Sequence, residues 1–146
     1  MYYLDTSYIA KCYLNEPGSV EVLAWVEGKT GLCCCVHGRI ELWSILCRHR
    51  REGRITKQQC RSVLAAIAAD EKNHVWTWLD ISREAVEAAC RTVETIAGGP
   101  ALRSADALHL ACARQHGFRS VYSHDRTMLA SAPHFGLEGI DVIEGA

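Results

Sequence analysis

The chain has 146 residues, of which 49% are hydrophobic and 23% are charged, a composition typical of a folded globular protein and not of a disordered one. This length predicts a single domain over residues 1–146. The formal net charge of −1 excludes a globally basic nucleic-acid binder, so a local basic patch or a metal ion must meet any anionic partner. No apolar run reaches the roughly 18 residues of a membrane span, and no secretory leader is evident.

Predicted strands alternate with predicted helices along the chain. Gly28, Gly53 and Gly117 mark the ends of helices, whereas hydroxyl residues mark their starts. The N-terminal elements are a strand over 2–5, a helix over 7–14, a helix over 19–28 capped by Ser19, a buried strand over 31–36, a mostly buried helix over 39–51, and a helix capped by Thr56 that runs to about residue 73. The C-terminal elements are a strand over 75–81, a helix over 82–97 opened by Ser82 and followed by Gly98, Gly99 and Pro100, a helix capped by Ser104, a strand over 120–123, a short helix over 126–132, and a last strand over 140–143.

This alternation predicts an α/β fold. We expect a mostly parallel sheet of four to five strands with helices on both faces. In such sheets, ligands bind beyond the carboxyl ends of the strands.

The chain contains eight cysteines but no C-x-x-C pair. We interpret them as reduced core residues of a cytoplasmic protein, because buried thiols behave as small hydrophobic groups. Cys34 should face the opposite side of its strand from Cys33 and Cys35. Zinc binding and disulfide formation are the alternative roles.

Four acidic residues stand at predicted strand ends or helix starts. Asp5 and Asp125 directly follow predicted strands, whereas Glu41 and Asp106 lie in the first turns of apolar helices. Each acid alone has a structural explanation, since carboxylates cap helices and complement the helix dipole. Four carboxylates in one pocket, however, require a cation, and their oxygen atoms suit Mg²⁺ or Mn²⁺ better than zinc. The set therefore indicates metal-assisted phosphoryl chemistry.

Four segments resemble the signature segments of PIN-domain ribonucleases, and in particular the VapC-type toxins of bacterial toxin–antitoxin pairs. They are LDTSYIAKCYL, RIELWSIL, LRSADALHLACA and VYSHDRTMLASA, which follow the family's order across essentially the whole chain. The resemblance implies a PIN domain with the activity of a cytoplasmic Mg²⁺-dependent endoribonuclease, and the oxygen ligands would also accept Mn²⁺ as a substitute. It also implies inhibition by a small antitoxin protein and assembly as a homodimer.

The same resemblance assigns roles to individual residues. It implies that the metal is bound by Asp5, Glu41, Asp106 and Asp125, with Ser7 and Ser123 supporting the acids. Glu41 either binds a second metal ion or holds the attacking water. The chain departs from the family at His37, where Ser or Thr is common, and at His124, where a smaller residue is common.

Basic residues and histidines are weaker candidates. The segment RHRREGR is either an RNA-phosphate contact, an antitoxin or dimer contact, or a solvated helix end. His109 follows Asp106 by three positions on one helix face and is interpreted as a packed core histidine. Trp76 and Trp78 are expected to share one face of a strand under a helix. The residues considered for RNA contact are Lys11, Arg39, Arg48, Arg50 and Arg51.

Other functions remain as alternatives. A housekeeping RNA-processing nuclease of the same fold, or a catalytically weak PIN-like module that only binds RNA or a partner, would carry the same acids. A phosphatase of the haloacid dehalogenase type is disfavoured, because it needs a second aspartate two residues after the first, where this chain has Ser7. A receiver-type phosphorylation switch needs an acidic pair near the first strand and a lysine after the last, and neither is evident.

Overall fold

The computed structural model describes residues 1–96 and 101–143. It shows a five-stranded, all-parallel sheet with strand order β3-β2-β1-β4-β5. The strands are β1 (Tyr2–Leu4), β2 (Leu32–Cys35), β3 (Trp76–Leu79), β4 (Ser120–Tyr122) and β5 (Glu138–Ile140). The helices are α1 (Thr6–Tyr13), α2 (Ser19–Val26), α3 (Gly38–Arg51), α4 (Lys57–Lys72), α5 (Arg83–Thr95), α6 (Ser104–Gln115) and α7 (Arg126–Ser131), and a 3₁₀ turn over Ala132–Phe135 follows α7. The predicted α/β class is confirmed.

Helices cover both faces of the sheet. One face packs against α1 to α4, and the other packs against α5, α6 and the 3₁₀ turn. All four residues of β2 are buried, as a central parallel strand requires. Cys34 lies in one core and its neighbours Cys33 and Cys35 lie in the other, which confirms the predicted alternation. Trp76 and Trp78 both pack on the α1–α4 side, as expected.

Several predicted details are wrong. Ser19 and Ser104 are the first helical residues, not caps, because Gly18 and Arg103 occupy the N-cap positions. The hydroxyl of Ser19 instead donates to the Leu14 carbonyl at 2.7 Å. The predicted strand over 140–143 is also misplaced, since β5 ends at Ile140.

Burial differs from the prediction at two places. Helix α3 buries only one face, formed by Gly38, Leu42, Leu46 and His49, and Ile40 is 66% exposed. All eight cysteines are free thiols, but Cys47 and Cys90 are exposed and so are not core residues.

The remaining helix signals have the predicted geometry. Thr56 caps α4 through a reciprocal pair of hydrogen bonds with Gln59, and Ser82 caps α5 through the Ala85 N–H. The Gly98, Gly99 and Pro100 stop signals and the predicted helix end at residue 97 lie outside the described residues. Within the described part of the chain, no helix combines the length and apolarity that a membrane crossing requires.

Candidate metal centre

All four predicted acids line one cavity of about 380 Å³ at the carboxyl edge of the sheet. Asp5 follows β1 and Asp125 lies just beyond β4, two neighbouring strands of the sheet. Glu41 and Asp106 lie in the first turns of α3 and α6, which begin at the same edge. The parallel topology thus brings together four side chains that are far apart in sequence.

Asp5 is the most buried of the four acids, with 6% exposure. Its carboxylate accepts hydrogen bonds from the Tyr8 N–H at 3.0 Å, the Ser7 hydroxyl at 2.8 Å and the Ser123 hydroxyl at 2.7 Å. It therefore caps α1 and lines the cavity at once. Burial raises the pKa of Asp5, although these hydrogen bonds and nearby His109 oppose the shift. A cation beside Asp5 would favour its charged form.

Glu41 is held by partners from two other helices. Its Oε2 atom accepts a hydrogen bond from the Thr6 hydroxyl at 2.6 Å and lies 2.9 Å from His109 Nε2. Burial opposes ionisation, but these contacts with His109 and Thr6 outweigh it and lower the pKa of Glu41 to about 2. Glu41 is therefore a carboxylate at neutral pH.

Arg103 links the other two acids. Its guanidinium pairs with Asp106, where Nε lies 2.9 Å from Oδ2, and also with Asp125. Asp125 additionally caps α7 by accepting from the Met128 N–H at 2.9 Å. Ser123 connects this pair to Asp5, since its hydroxyl donates to Asp5 and accepts from the Asp125 N–H at 2.9 Å. Asp5, Asp106 and Asp125 therefore belong to one connected network, and Glu41 lines the same cavity with its own partners Thr6 and His109.

The donor set fits a hard divalent cation. Carboxylate and hydroxyl oxygens are the ligands that Mg²⁺ and Mn²⁺ prefer. The Arg103 guanidinium already contributes a positive charge between Asp106 and Asp125. Asp5 and Glu41 have no arginine or lysine partner among the ion pairs of the described residues. The carboxylates that line the cavity therefore suit the Mg²⁺ or Mn²⁺ ion that the sequence predicts.

The basic residues considered for RNA contact lie in different places relative to the acid cavity. Arg48 lines the cavity with the acids. Lys11 instead donates to the Pro17 carbonyl at 2.9 Å, and Arg39 pairs with Glu71 at 3.2 Å. Arg50 and Arg51 are exposed at the end of α3. None of these arrangements tests RNA contact, which stays a prediction.

The sequence did not predict that histidines lie beside the acids. His109 is buried as predicted, but it also lines the cavity and contacts Glu41. His37 Nε2 lies 3.7 Å from Glu41 Oε2. The signal was present in the spacing, because His37 precedes Glu41 by four positions and His109 follows Asp106 by three on single helix faces. His124 contacts Asp141 at 2.7 Å and does not line the cavity.

Comparison with known proteins decides the family. Residues 2–132 match the sequence pattern described as PIN domain. The chain belongs to the PIN-domain family. One relative is Ribonuclease VapC47 from Mycobacterium tuberculosis (strain CDC 1551 / Oshkosh), which is 28% identical over 143 residues and matches across 93% of each chain.

Solved structures show the same PIN fold. The first is Mycobacterium tuberculosis VapC20, described as a toxin that cleaves the sarcin–ricin loop, with a TM-score of 0.69, 17% identity, and coverage of 90% of this chain and 95% of VapC20. The second is FitAB bound to an IR36 DNA fragment, with a TM-score of 0.64, 16% identity, and coverage of 98% of this chain and 96% of the other. At these identities the likeness concerns the fold alone.

Proposed function

We propose that this chain is a Mg²⁺-dependent endoribonuclease and the toxin of a toxin–antitoxin pair. The observation that carries the proposal is the convergence of four carboxylates, from four separate elements, on one cavity. The named activity of VapC47 and the toxin description of VapC20 support the same class of reaction. RNA is the proposed substrate.

The proposed metal ligands are Asp5, Glu41, Asp106 and Asp125. A bound divalent ion supplies a Lewis acid, which favours deprotonation of water and stabilises charge that develops on a phosphodiester. Ser7 and Ser123 orient the Asp5 carboxylate, and Thr6 and His109 hold Glu41 in its ionised form. Arg48 places a positive charge beside the acids, where an RNA phosphate would approach. Hydrolysis by water would leave a 5′-phosphate and a 3′-hydroxyl.

Proposed partners follow from the toxin class. A small antitoxin protein would inhibit the enzyme, and the exposed apolar residues Val20 and Leu23 on α2 offer a surface that a partner would cover. We also propose a homodimer, by resemblance to VapC-type toxins. Free thiols favour the cytoplasm as the place of action.

The deciding experiment compares RNA cleavage by the wild-type chain, Asp5→Asn and Asp80→Asn. Asp80 also follows a strand but is exposed and does not line the cavity, so it is a matched control. We expect Asp5→Asn to lose more than about 100-fold in rate, beyond the loss typical of an outer-sphere partner, and Asp80→Asn to retain activity. Excess EDTA should stop the reaction, and the products should carry 5′-phosphates. Undiminished cleavage by Asp5→Asn or in EDTA would refute the metal nuclease.

Expression in cells separates the toxin from a housekeeping enzyme. The wild-type chain should arrest growth, and Asp5→Asn should relieve the arrest while accumulating to the same level. Normal growth with a chain that cleaves RNA in vitro would favour the RNA-processing role.

A further inference from the structure

A second group of metal-ligating side chains adjoins the acid cavity. His37 is the residue before α3, Glu41 lies in the first turn of α3, and His109 lies in α6. One potential ligand atom from each of the three lies within 4.8 Å of the other two. Two imidazoles with one carboxylate differ in chemistry from the all-oxygen set of acids.

The distances within this group suit a small metal ion. Glu41 Oε2 lies 2.9 Å from His109 Nε2 and 3.7 Å from His37 Nε2. Ligand atoms of a tetrahedral ion with bonds of about 2.1 Å lie about 3.4 Å apart. The observed separations lie on either side of that value, so small side-chain shifts would complete the geometry.

The His37 side chain is mostly buried, with 18% of its surface exposed. Both of its ring nitrogens are buried, and neither makes a hydrogen bond of good geometry in the described part of the chain, although Cys35, the Ala105 backbone and Glu41 lie nearby. Its ring instead lies against that of His109, with 4.2 Å between the ring centroids. A buried polar atom without a well-aligned hydrogen bond is costly, and coordination to a metal would remove that cost.

His109 and Glu41 each have a hydrogen-bonding neighbour that would orient them as metal ligands. Tyr3 Oη lies 3.0 Å from His109 Nδ1, so the tautomer with a proton on Nδ1 donates to Tyr3, and a metal at Nε2 would replace the direct contact of Nε2 with Glu41. The Thr6 hydroxyl donates to Glu41 at 2.6 Å. Metal-binding histidines and carboxylates in proteins are typically held by such second contacts.

We propose that His37, Glu41 and His109 bind a first-row transition ion of the Zn²⁺ or Co²⁺ type. Imidazole ligands favour these ions over Mg²⁺, and three protein ligands leave one position open toward the cavity. Glu41 is then shared between this site and the carboxylate set, so a transition ion at the histidines weakens Mg²⁺ binding by the acids. Binding of a transition ion here does not require that the chain be a nuclease, whereas the competition with Mg²⁺ rests on the proposed function.

Binding of Co²⁺ to the full chain tests this site, with visible absorption and calorimetry as readouts. We compare the wild type with His37→Ser, which removes one imidazole, and with Asp106→Asn, which alters only the carboxylate set. We expect wild type and Asp106→Asn to bind Co²⁺ with the absorption of a four-coordinate ion, and His37→Ser to lose at least about tenfold in affinity. His37→Asn serves as a second variant, and circular dichroism verifies folding of each.

Histidine side-chain nitrogen NMR with Zn²⁺ gives a readout that does not depend on any variant. Resonances of His37 and His109 Nε2 should shift, whereas those of His124, which pairs with Asp141, should not. Unchanged Co²⁺ affinity in both His37 variants, loss of the Co²⁺ spectrum in Asp106→Asn alone, or unshifted His37 and His109 resonances would overturn the proposal. Co²⁺ binding by a chain that cleaves no RNA would support this site while counting against the nuclease.

Discussion

At the scale of single residues, Arg103 decides how charge is balanced in the acid cavity. Its guanidinium contacts Asp106 and Asp125, both of which are proposed metal ligands. The Arg103 side chain is 68% exposed, so it can move away into solvent. A divalent ion bound by these two carboxylates would therefore compete with Arg103 for them.

Replacing Arg103 by Met should strengthen Mg²⁺ binding. An exposed ion pair contributes at most about 1 kcal/mol, so the gain should reach up to about fivefold. Isothermal titration calorimetry with Mg²⁺ measures this change in affinity. Arg83→Met is the matched control, because Arg83 forms an exposed pair with Glu87 on α5, away from the cavity. Weaker Mg²⁺ binding by Arg103→Met would mean that the guanidinium organises the carboxylates and does not compete with the ion.

Ser123 illustrates a residue that acts through its neighbours. Its fully buried hydroxyl donates to Asp5 and accepts from the Asp125 N–H. Ser123→Ala should reduce Mg²⁺ affinity by about 10–100-fold, because both acids lose a contact that orients them. Unfolding stability should fall by about 1–3 kcal/mol. Calorimetry and urea unfolding measure the two effects.

Ser131 provides the control for that substitution. It is also buried, but its hydroxyl donates to the Thr127 carbonyl at 2.8 Å and is not part of the acid network. Ser131→Ala should leave Mg²⁺ affinity unchanged. Equal Mg²⁺ affinities for wild type and Ser123→Ala would show that Ser123 does not position the acids.

At the scale of elements, the start of α3 sets the position of Glu41. A Cβ atom on Gly38 would lie 2.7 Å from Cys34 Sγ and 2.8 Å from Thr6 Oγ1. Only glycine therefore allows α3 to begin this close to β2 and α1. The Thr6 hydroxyl that lies next to Gly38 also donates to Glu41, so a shift of α3 at Gly38 would disturb the hydrogen bond that holds Glu41.

Gly38→Ala should move the start of α3 away from the sheet. Overpacking of this kind costs about 1–3 kcal/mol, and we expect that loss in urea unfolding together with weaker Mg²⁺ binding. Adding Cys34→Ala removes the nearest obstructing atom, so the double variant should recover part of the Mg²⁺ affinity. Full Mg²⁺ affinity in Gly38→Ala alone would show that this close packing does not position Glu41.

Elements also show where prediction from sequence succeeds and where it stops. Thr56 and Ser82 are correct caps because their hydroxyls bond within their own helices. Ser19 and Ser104 misled the prediction because a hydroxyl alone does not reveal that Gly18, with φ of 84°, or Arg103 ends the preceding loop. Strand β5 was misplaced because its pairing with β4 is a tertiary contact that local pattern does not report.

At the scale of the whole molecule, strand order explains why the acids could be predicted as a group. Strands β1 and β4 are neighbours although over 100 residues of chain separate them, so their carboxyl ends deliver Asp5 and Asp125 to one edge. Residue type and position at strand ends or helix starts were sufficient to select the acids. Local spacing places His37 near Glu41 and Arg103 near Asp106, but the contacts of His37 with His109 and of Arg103 with Asp125 depend on placement in three dimensions, which no local pattern contains.

The chain's C-terminal segment is joined to its N-terminal helix through Asp141. Its carboxylate accepts from the Tyr8 hydroxyl at 2.7 Å and the Ile143 N–H at 2.9 Å, and it lies 2.7 Å from His124 Nδ1. Burial raises the pKa of Asp141, but the hydrogen bonds outweigh it and the net pKa is lowered. This network therefore stabilises the fold only while Asp141 is ionised.

Asp141→Asn should lower the free energy of unfolding at pH 7 by about 1–3 kcal/mol, as expected for lost hydrogen bonds to a charged group. The folded-state pKa lies below the value near 4 of an unfolded aspartate, so the stabilisation is fully present above about pH 4 and is lost as the pH falls through the folded-state pKa. Urea unfolding of both chains from pH 7 to pH 3 measures this dependence. Tyr8→Phe, which removes one donor to Asp141, should show a smaller loss with the same direction of pH dependence. A stability difference that stays constant down to pH 3 would mean that the Asp141 charge does not hold the two ends of the chain together.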